Sequence, residues 1–235
     1  MSGNPPEPKR RWKSREVVGP GGERELVKRV KNKRAKESSK KWLQRQINDP
    51  YVARAAAEGW RARSAFKLIE LDEQFGLIKR GADVVDLGAA PGSWAQVAVK
   101  RGAGKVVGID LLPIDPLSGA IFLEMDFLSP DAPEALLRII GGPPDLVLSD
   151  MAANTTGHAR TDQIRTGALA EAAAEFALEH LAPGGAFVTK AFQGGLDAAL
   201  LARLKQNFAS VKHAKPKASR AESSEVYLVA MGRKR

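Results

Sequence analysis

The feature that most constrains this chain is an alternation of segments that begins at residue 82. Six short apolar stretches read as strands: "ADVVDLG" (82–88), "KVVGIDLL" (105–112), "AIFLEMDF" (120–127), "PDLVLSDM" (144–151), "GAFVTKAF" (185–192) and "SEVYLVAMG" (224–232). Between them, "SWAQVAVKRG", "PEALLRIIG", "TDQIRTGALAEAAAEFALEHLAPGG" and "GLDAALLARLKQNFA" carry helical periodicity. Strands joined through helices pair in parallel, and right-handed crossovers put helices on both faces, so an α/β fold with a mostly parallel sheet is expected. The last strand follows a polar connection, and an antiparallel insertion near an edge suits it; sequence alone leaves its place open.

Upstream, "DPYVARAAAEGWRARSAFKLIELDEQF" sets Ala65, Leu68, Ile69 and Leu71 at helical spacing beside Arg61, Arg63 and Lys67. That pattern predicts a helix with one buried and one basic face. Residues 1–37 combine Pro, Gly, Ser and basic side chains with few large apolar groups, and are expected to be disordered in isolation, with helical character near "ERELVKRVKNKRAKE". A core of single-domain size, opening on that basic helix, then occupies residues 38–235.

Charge separates these regions. Residues 1–48 hold 15 Lys+Arg against 5 Asp+Glu, whereas the remaining 187 residues hold 22 of each, so the whole excess of +10 lies in the leader. Residues 212–235 are also basic, and the body between the two ends is mildly acidic. Basic arms around such a body suit a polyanion whose phosphates they neutralise. Candidate phosphate contacts are Arg54, Arg61, Arg63, Lys212, Lys215, Lys217 and Arg220. The chain has no cysteine and only three scattered histidines, so no metal site is expected. No apolar run is long enough for a membrane span, and a cytoplasmic protein without membrane contact is the simplest expectation.

The stretch "VVDLGAAPGSW" (84–94) lies between a strand and a helix, where open α/β sheets bind ligands. Its glycines, Gly88 and Gly92, do not form the G-x-G-x-x-G of dinucleotide folds, and no G-K-[ST] follows for a phosphate loop. A nucleoside lacking a pyrophosphate fits better. Asp86, Asp110 and Asp126 stand at or near successive strand ends, supplying acceptors for ribose and adenine and carboxylates that tolerate a sulfonium. This set indicates S-adenosylmethionine.

The segments "GWRARSAFKL", "VVDLGAAPGSW", "GIDLLPIDP", "LSDMAANTTG", "LAPGGAFVTKAFQG" and "SRAESSEVYLVA" form one collinear series from about Ser38 to the C-terminus. Together they resemble the FtsJ/RlmE family of bacterial 2′-O-ribose methyltransferases of large-subunit ribosomal RNA. The resemblance implies a Rossmann-like S-adenosylmethionine-dependent methyltransferase fold with a seven-stranded sheet. It also implies a monomer that modifies a uridine of 23S rRNA in the A-loop of the large ribosomal subunit, late in assembly. By motif position it assigns donor contacts to Gly92, Trp94, Asp110, Asp126 and Asp150, and catalysis to Lys67, Asp150, Lys190 and Glu225. Two departures stand out: Ser93 where relatives have a second glycine, and Ala153 in place of a proline before "NTTGHART".

A ribose hydroxyl is a weak acid, so the chemistry needs alignment of acceptor and donor first and help with one proton second. Lys190 is assigned to activate or deprotonate the hydroxyl, with Lys67 as the neighbouring cation that would lower its proton affinity. Asp150 orients Lys190 and the donor, and Glu225 completes the network. A protonated Lys190 acting as an electrostatic guide is the alternative, and spacing does not separate the two. Two other functions stay open at this stage: 2′-O-methylation of transfer RNA, and a ribosome-assembly factor for which catalysis is dispensable.

Overall fold

The computed structural model describes residues 14–18, 24–28, 37–153, 158–192, 197–221 and 223–235. The chain divides into two units, Met1–Glu58 and Gly59–Arg235. In the first, strands β1 (Ser14–Val18) and β2 (Arg24–Lys28) pair antiparallel, and helices α1 (Glu37–Ile47) and α2 (Pro50–Glu58) follow. The helical character expected from residue 23 is therefore corrected at its start. There the main chain pairs with Ser14–Val18, which satisfies backbone groups that a short solvated helix holds only marginally. The rest of the leader lies outside the described residues. The division by contacts falls at Glu58, later than the boundary at residue 38 read from composition.

The single helix read across residues 49–75 is two helices. Gly59, at φ 72°, cannot continue a right-handed helix, and α3 (Ala65–Phe75) starts afresh before ending at Gly76, whose N–H donates to the Asp72 carbonyl at 2.7 Å. The face of α3 that holds Lys67 is not solvated. Lys67 is buried with Ala65, Phe66, Leu68 and Leu71.

The second unit carries a seven-stranded sheet of β3 (Val84–Leu87), β4 (Val106–Asp110), β5 (Ala120–Glu124), β6 (Leu146–Ser149), β7 (Ala186–Phe192), β8 (Phe208–Ala214) and β9 (Glu225–Arg233). Their order is β5-β4-β3-β6-β7-β9-β8. The first five pair in parallel, and β9 runs antiparallel between β7 and β8. Six strands lie where the apolar runs place them. The seventh, β8, occupies residues read as the tail of a helix and the polar connection beyond it.

Each strand feeds both sides of the sheet. Val84, Val106, Leu146, Leu148, Val188, Tyr227 and Val229 pack with Ala65, Leu68 and Leu71 of α3 and with Trp94 and Val97 of α4 (Ser93–Lys100). The opposite side sets Val85, Leu87, Ile109, Val147, Phe187 and Leu228 against α5 (Ala132–Ile140), α6 (Ala159–His180) and α7 (Ala198–Asn207). Near-continuous apolar strands are what a sheet covered on both faces requires. The strand order reverses between β3 and β6, which opens a crevice at their carboxyl ends. Among the described residues, no helix is long and apolar enough to cross a membrane.

Candidate active site

A cavity of about 370 Å³ sits at that crevice. Most of its walls come from four strand ends: Gly88 and Ala90 at β3, Asp110 and Leu112 at β4, Asp126 and Leu128 at β5, and Asp150 and Met151 at β6. Asp110 and Asp126 are built alike. Each turns one carboxylate oxygen onto the N–H two residues on, Leu112 and Leu128 respectively, both at 2.9 Å. These side-chain turns leave Leu112 and Leu128 exposed at the mouth, as apolar surface beside an acceptor. The second Asp110 oxygen accepts from the Ala90 N–H at 2.9 Å and ties the glycine turn to β4.

Gly88 is required by proximity as well as by its φ of 74°. A Cβ there would stand 2.5 Å from Met151 Cγ and 3.1 Å from its Cα, closing the cavity's floor. Gly92, at φ 92°, begins α4, and a Cβ on it would meet Arg61 Nη1 at 2.6 Å. Neither Gly92 nor Trp94 is on the cavity wall. Trp94 is buried, donates Nε1–H to the Ser64 carbonyl at 2.8 Å and packs its ring against Tyr227. Of the five residues assigned to donor contact, these two shape the turn, while Asp110, Asp126 and Asp150 line the cavity with Gly88 and Ala90. Ser93 is also buried, its hydroxyl 2.6 Å from that of Ser64, so this departure faces α3. Of the segment following Ala153, residues 154–157 lie outside the described ones.

Beside the cavity the four assigned catalytic residues meet. The β7–β9 register sets Lys190 opposite Tyr227, and the strand period of two puts Glu225 on the same face. The β6–β7 pairing of Ser149 with Thr189 brings Asp150, one residue on, beside Lys190, and α3 lays Lys67 over the group. Lys190 Nζ lies 2.8 Å from Asp150 Oδ1 and 3.9 Å from Glu225 Oε2. It also donates to the Asp150 main-chain carbonyl at 2.8 Å. Lys67 Nζ lies 2.8 Å from Glu225 Oε1.

Tyr227 closes the network. Its hydroxyl donates to Asp150 Oδ1 at 2.6 Å and accepts from Lys67 Nζ at 3.1 Å. Sequence reasoning noted this tyrosine only as a strand former; its position two residues after Glu225, hence on the same face, was the available signal. Burial and the Asp150 and Glu225 carboxylates push its phenol well above the usual value, so it remains a donor.

Two lysines alternate with two acidic side chains, and for Asp150 and Lys190 the balance of burial against partners decides the charge. Burial alone would raise the Asp150 carboxyl, but Lys190, Lys67 and the bond from Tyr227 hold it below the usual carboxylate value. Burial alone would lower Lys190, but Asp150 and Glu225 hold it above the usual lysine value. The expectation that Lys67 depresses Lys190 is corrected here, because carboxylates stand between and beside the cations. Asp86, under the start of α4, has the opposite outcome. It accepts from the Ala95 N–H at 3.1 Å, and burial followed by the Asp150 charge pushes its carboxyl up to about 8.

Several candidate phosphate contacts are instead engaged within their own units. Arg54 pairs with Glu58 at 2.6 Å. Arg61 donates to the carbonyls of Pro91, Asp115 and Pro116 at 3.0, 2.7 and 2.7 Å. Arg63 donates to the Ala218 carbonyl, and Lys215 to those of Ala221 and Ser223. Lys212 and Lys217 remain exposed.

Comparison with known proteins agrees with this geometry. The family described as FtsJ-like methyltransferase matches residues 60–233. A protein named ribosomal RNA large subunit methyltransferase E from Novosphingobium aromaticivorans is 61% identical over 88% of this chain and 93% of its own length. The protein of the same name from Xanthobacter autotrophicus is 59% identical over 91% of this chain and 86% of its own. A crystal structure of a ribosomal RNA methyltransferase from Plasmodium falciparum superposes with a TM-score of 0.61 at 30% identity, covering 74% of this chain and 98% of that one. With a cavity at the sheet's switch point and the matched segment spanning nearly the whole second unit, the chain belongs to the FtsJ-like methyltransferase family and is an S-adenosylmethionine-dependent enzyme.

Proposed function

We propose that this enzyme methylates the 2′-hydroxyl of a uridine ribose in 23S rRNA, in the A-loop of the large ribosomal subunit, at a late stage of assembly. It acts as a cytoplasmic monomer, through Lys67, Asp150, Lys190 and Glu225. The observation that carries the reading is the alternating Lys-Asp-Lys-Glu network whose Asp150 also lines the donor cavity. The names of the relatives at about 60% identity supply the RNA.

The cavity's residues fit S-adenosylmethionine. Asp110 and Asp126 offer carboxylate acceptors to hydroxyl and amine groups, Leu112 and Leu128 offer apolar walls to a base, and the volume suits a ligand of this size. When bound, the donor would supply an electrophilic methyl group, whose carbon–sulfur bond breaks as the oxygen–carbon bond forms and leaves its electron pair on sulfur as a neutral thioether. The chain supplies alignment and charge. Lys190, kept as an ammonium by Asp150 and Glu225, acts as the electrostatic guide and donates a hydrogen bond to the acceptor oxygen. As that oxygen gains its new bond to carbon it becomes strongly acidic, and its proton passes to the Asp150 carboxylate and on to water. Lys67 and Tyr227 fix Glu225 and Asp150 and keep the network neutral overall. The basic leader tethers RNA without reading its sequence.

The test presents methyl-labelled S-adenosylmethionine with undermethylated large subunits, free 23S rRNA and transfer RNA as separate acceptors. Label is expected at one uridine of the large subunit, with the adjacent linkage resistant to alkali. Label confined to transfer RNA, or on a base, contradicts the proposal. Rescue of subunit assembly in a deletion strain by Lys190→Ala would instead favour an assembly factor.

A further inference from the structure

The connection from β8 to β9 folds back onto the catalytic network, and it does so through a serine. Ala218 and Ser219 are buried, although Lys217 precedes them and Arg220 follows. Both peptide groups of Ala218 are fastened to the α3 region: its N–H donates to Glu70 Oε2 at 3.2 Å, and its carbonyl accepts from Arg63 Nη2 at 2.6 Å. A turn closes on the next residue, with the Ser219 N–H donating to the Pro216 carbonyl at 2.9 Å. So held, the Ser219 hydroxyl donates to Glu225 Oε1 at 2.8 Å.

That oxygen matters because Glu225 faces two ammoniums. Oε1 is 2.8 Å from Lys67, while Oε2 is 3.0 Å from Lys67 and 3.9 Å from Lys190. A carboxylate so placed can turn toward either cation, and a fixed donor on one oxygen selects an orientation. We infer that Ser219 is a positioning residue for methyl transfer: its hydroxyl keeps Glu225 turned to Lys67 and leaves Lys190 to Asp150. The inference rests on the catalytic assignment proposed above. Ser219 is absent from the cavity wall, so its effect falls on the chemical step and not on donor binding.

The test is a cycle in the full-length protein, with undermethylated large subunits and methyl-labelled S-adenosylmethionine. Ser219→Ala is expected to lower kcat about tenfold, the loss expected for one hydrogen bond to a charged group, with KM for subunits and donor Kd unchanged. In a Glu225→Ala background the same change should cost nothing further, since the group it acts through is gone. Ser219→Thr, which keeps the hydroxyl, should recover most of the rate. An unchanged kcat in Ser219→Ala, an equal loss in both backgrounds, or a loss carried by donor Kd would overturn the inference. Full transfer by Lys190→Ala would sink the catalytic assignment itself, whereas an inactive Lys190→Ala beside a normal Ser219→Ala sinks only the role of Ser219.

Discussion

Lys67 and Lys190 are both nearly buried, and what distinguishes them from ordinary buried cations is that each faces a carboxylate within 2.8 Å. Removing one member of such a set leaves an uncompensated charge, so single substitutions act on more than one bond. The raised Lys190 proton affinity has a kinetic consequence. As a charged guide it is fully formed at neutral pH, and the single-turnover transfer rate should vary less than about twofold between pH 7 and 9, within the margin set by a group that stays protonated throughout. A tenfold rise per pH unit would make the neutral amine the active form. Asp86 bears on stability instead. Its folded value of about 8 lies above the unfolded one, so the folded state holds the extra proton, and stability falls as pH rises from about 4 to about 8. Asp86→Asn, which cannot ionise, should show a melting temperature above wild type by a margin that grows across this window and levels off beyond pH 8. Differential scanning calorimetry from pH 5 to 9 reads it.

At the scale of elements, legibility followed burial. Strands β3, β4, β6, β7 and β9 were evident because both faces are covered and their apolar runs are nearly unbroken, and β5, an edge strand with Ile121 exposed, because its run of Ala120 to Leu123 is apolar throughout. Strand β8, at the other edge, was not, because it lacks an apolar run: Phe208 and Ala214 are buried while most residues between are exposed, and its start continues the helical pattern of α7. The break at Gly59 was written in the sequence but outweighed by periodicity on either side. Lys67 shows the limit of helical wheels, since a lysine on a core-facing stripe reads as a solvated face until its carboxylate partner 158 residues away is known. Arg61 shows the reverse, a cation assigned to RNA that instead fastens the Pro91 turn to the segment after β4. Arg61→Ala should therefore raise donor Kd about tenfold and leave RNA affinity unchanged, as isothermal titration with each ligand would show. Weakened RNA binding with normal donor binding would restore the phosphate role.

Across the whole molecule, the excess charge is segregated from the chemistry. The leader carries it, while the unit with the catalytic network holds both signs in near balance. Deleting residues 1–37 should shrink the slope of log affinity against log salt for RNA while donor Kd stays the same. The family and its donor were readable from six collinear motifs. Tyr227, Ser219 and the charge state of Lys190 were not, because each depends on contacts between distant segments. The most direct test of the account measures single-turnover methyl transfer by wild type and Lys190→Ala at saturating S-adenosylmethionine, with donor affinity determined on the same preparations. Transfer slowed by about 100- to 1,000-fold with donor Kd intact is expected. Near-wild-type transfer by Lys190→Ala would contradict it.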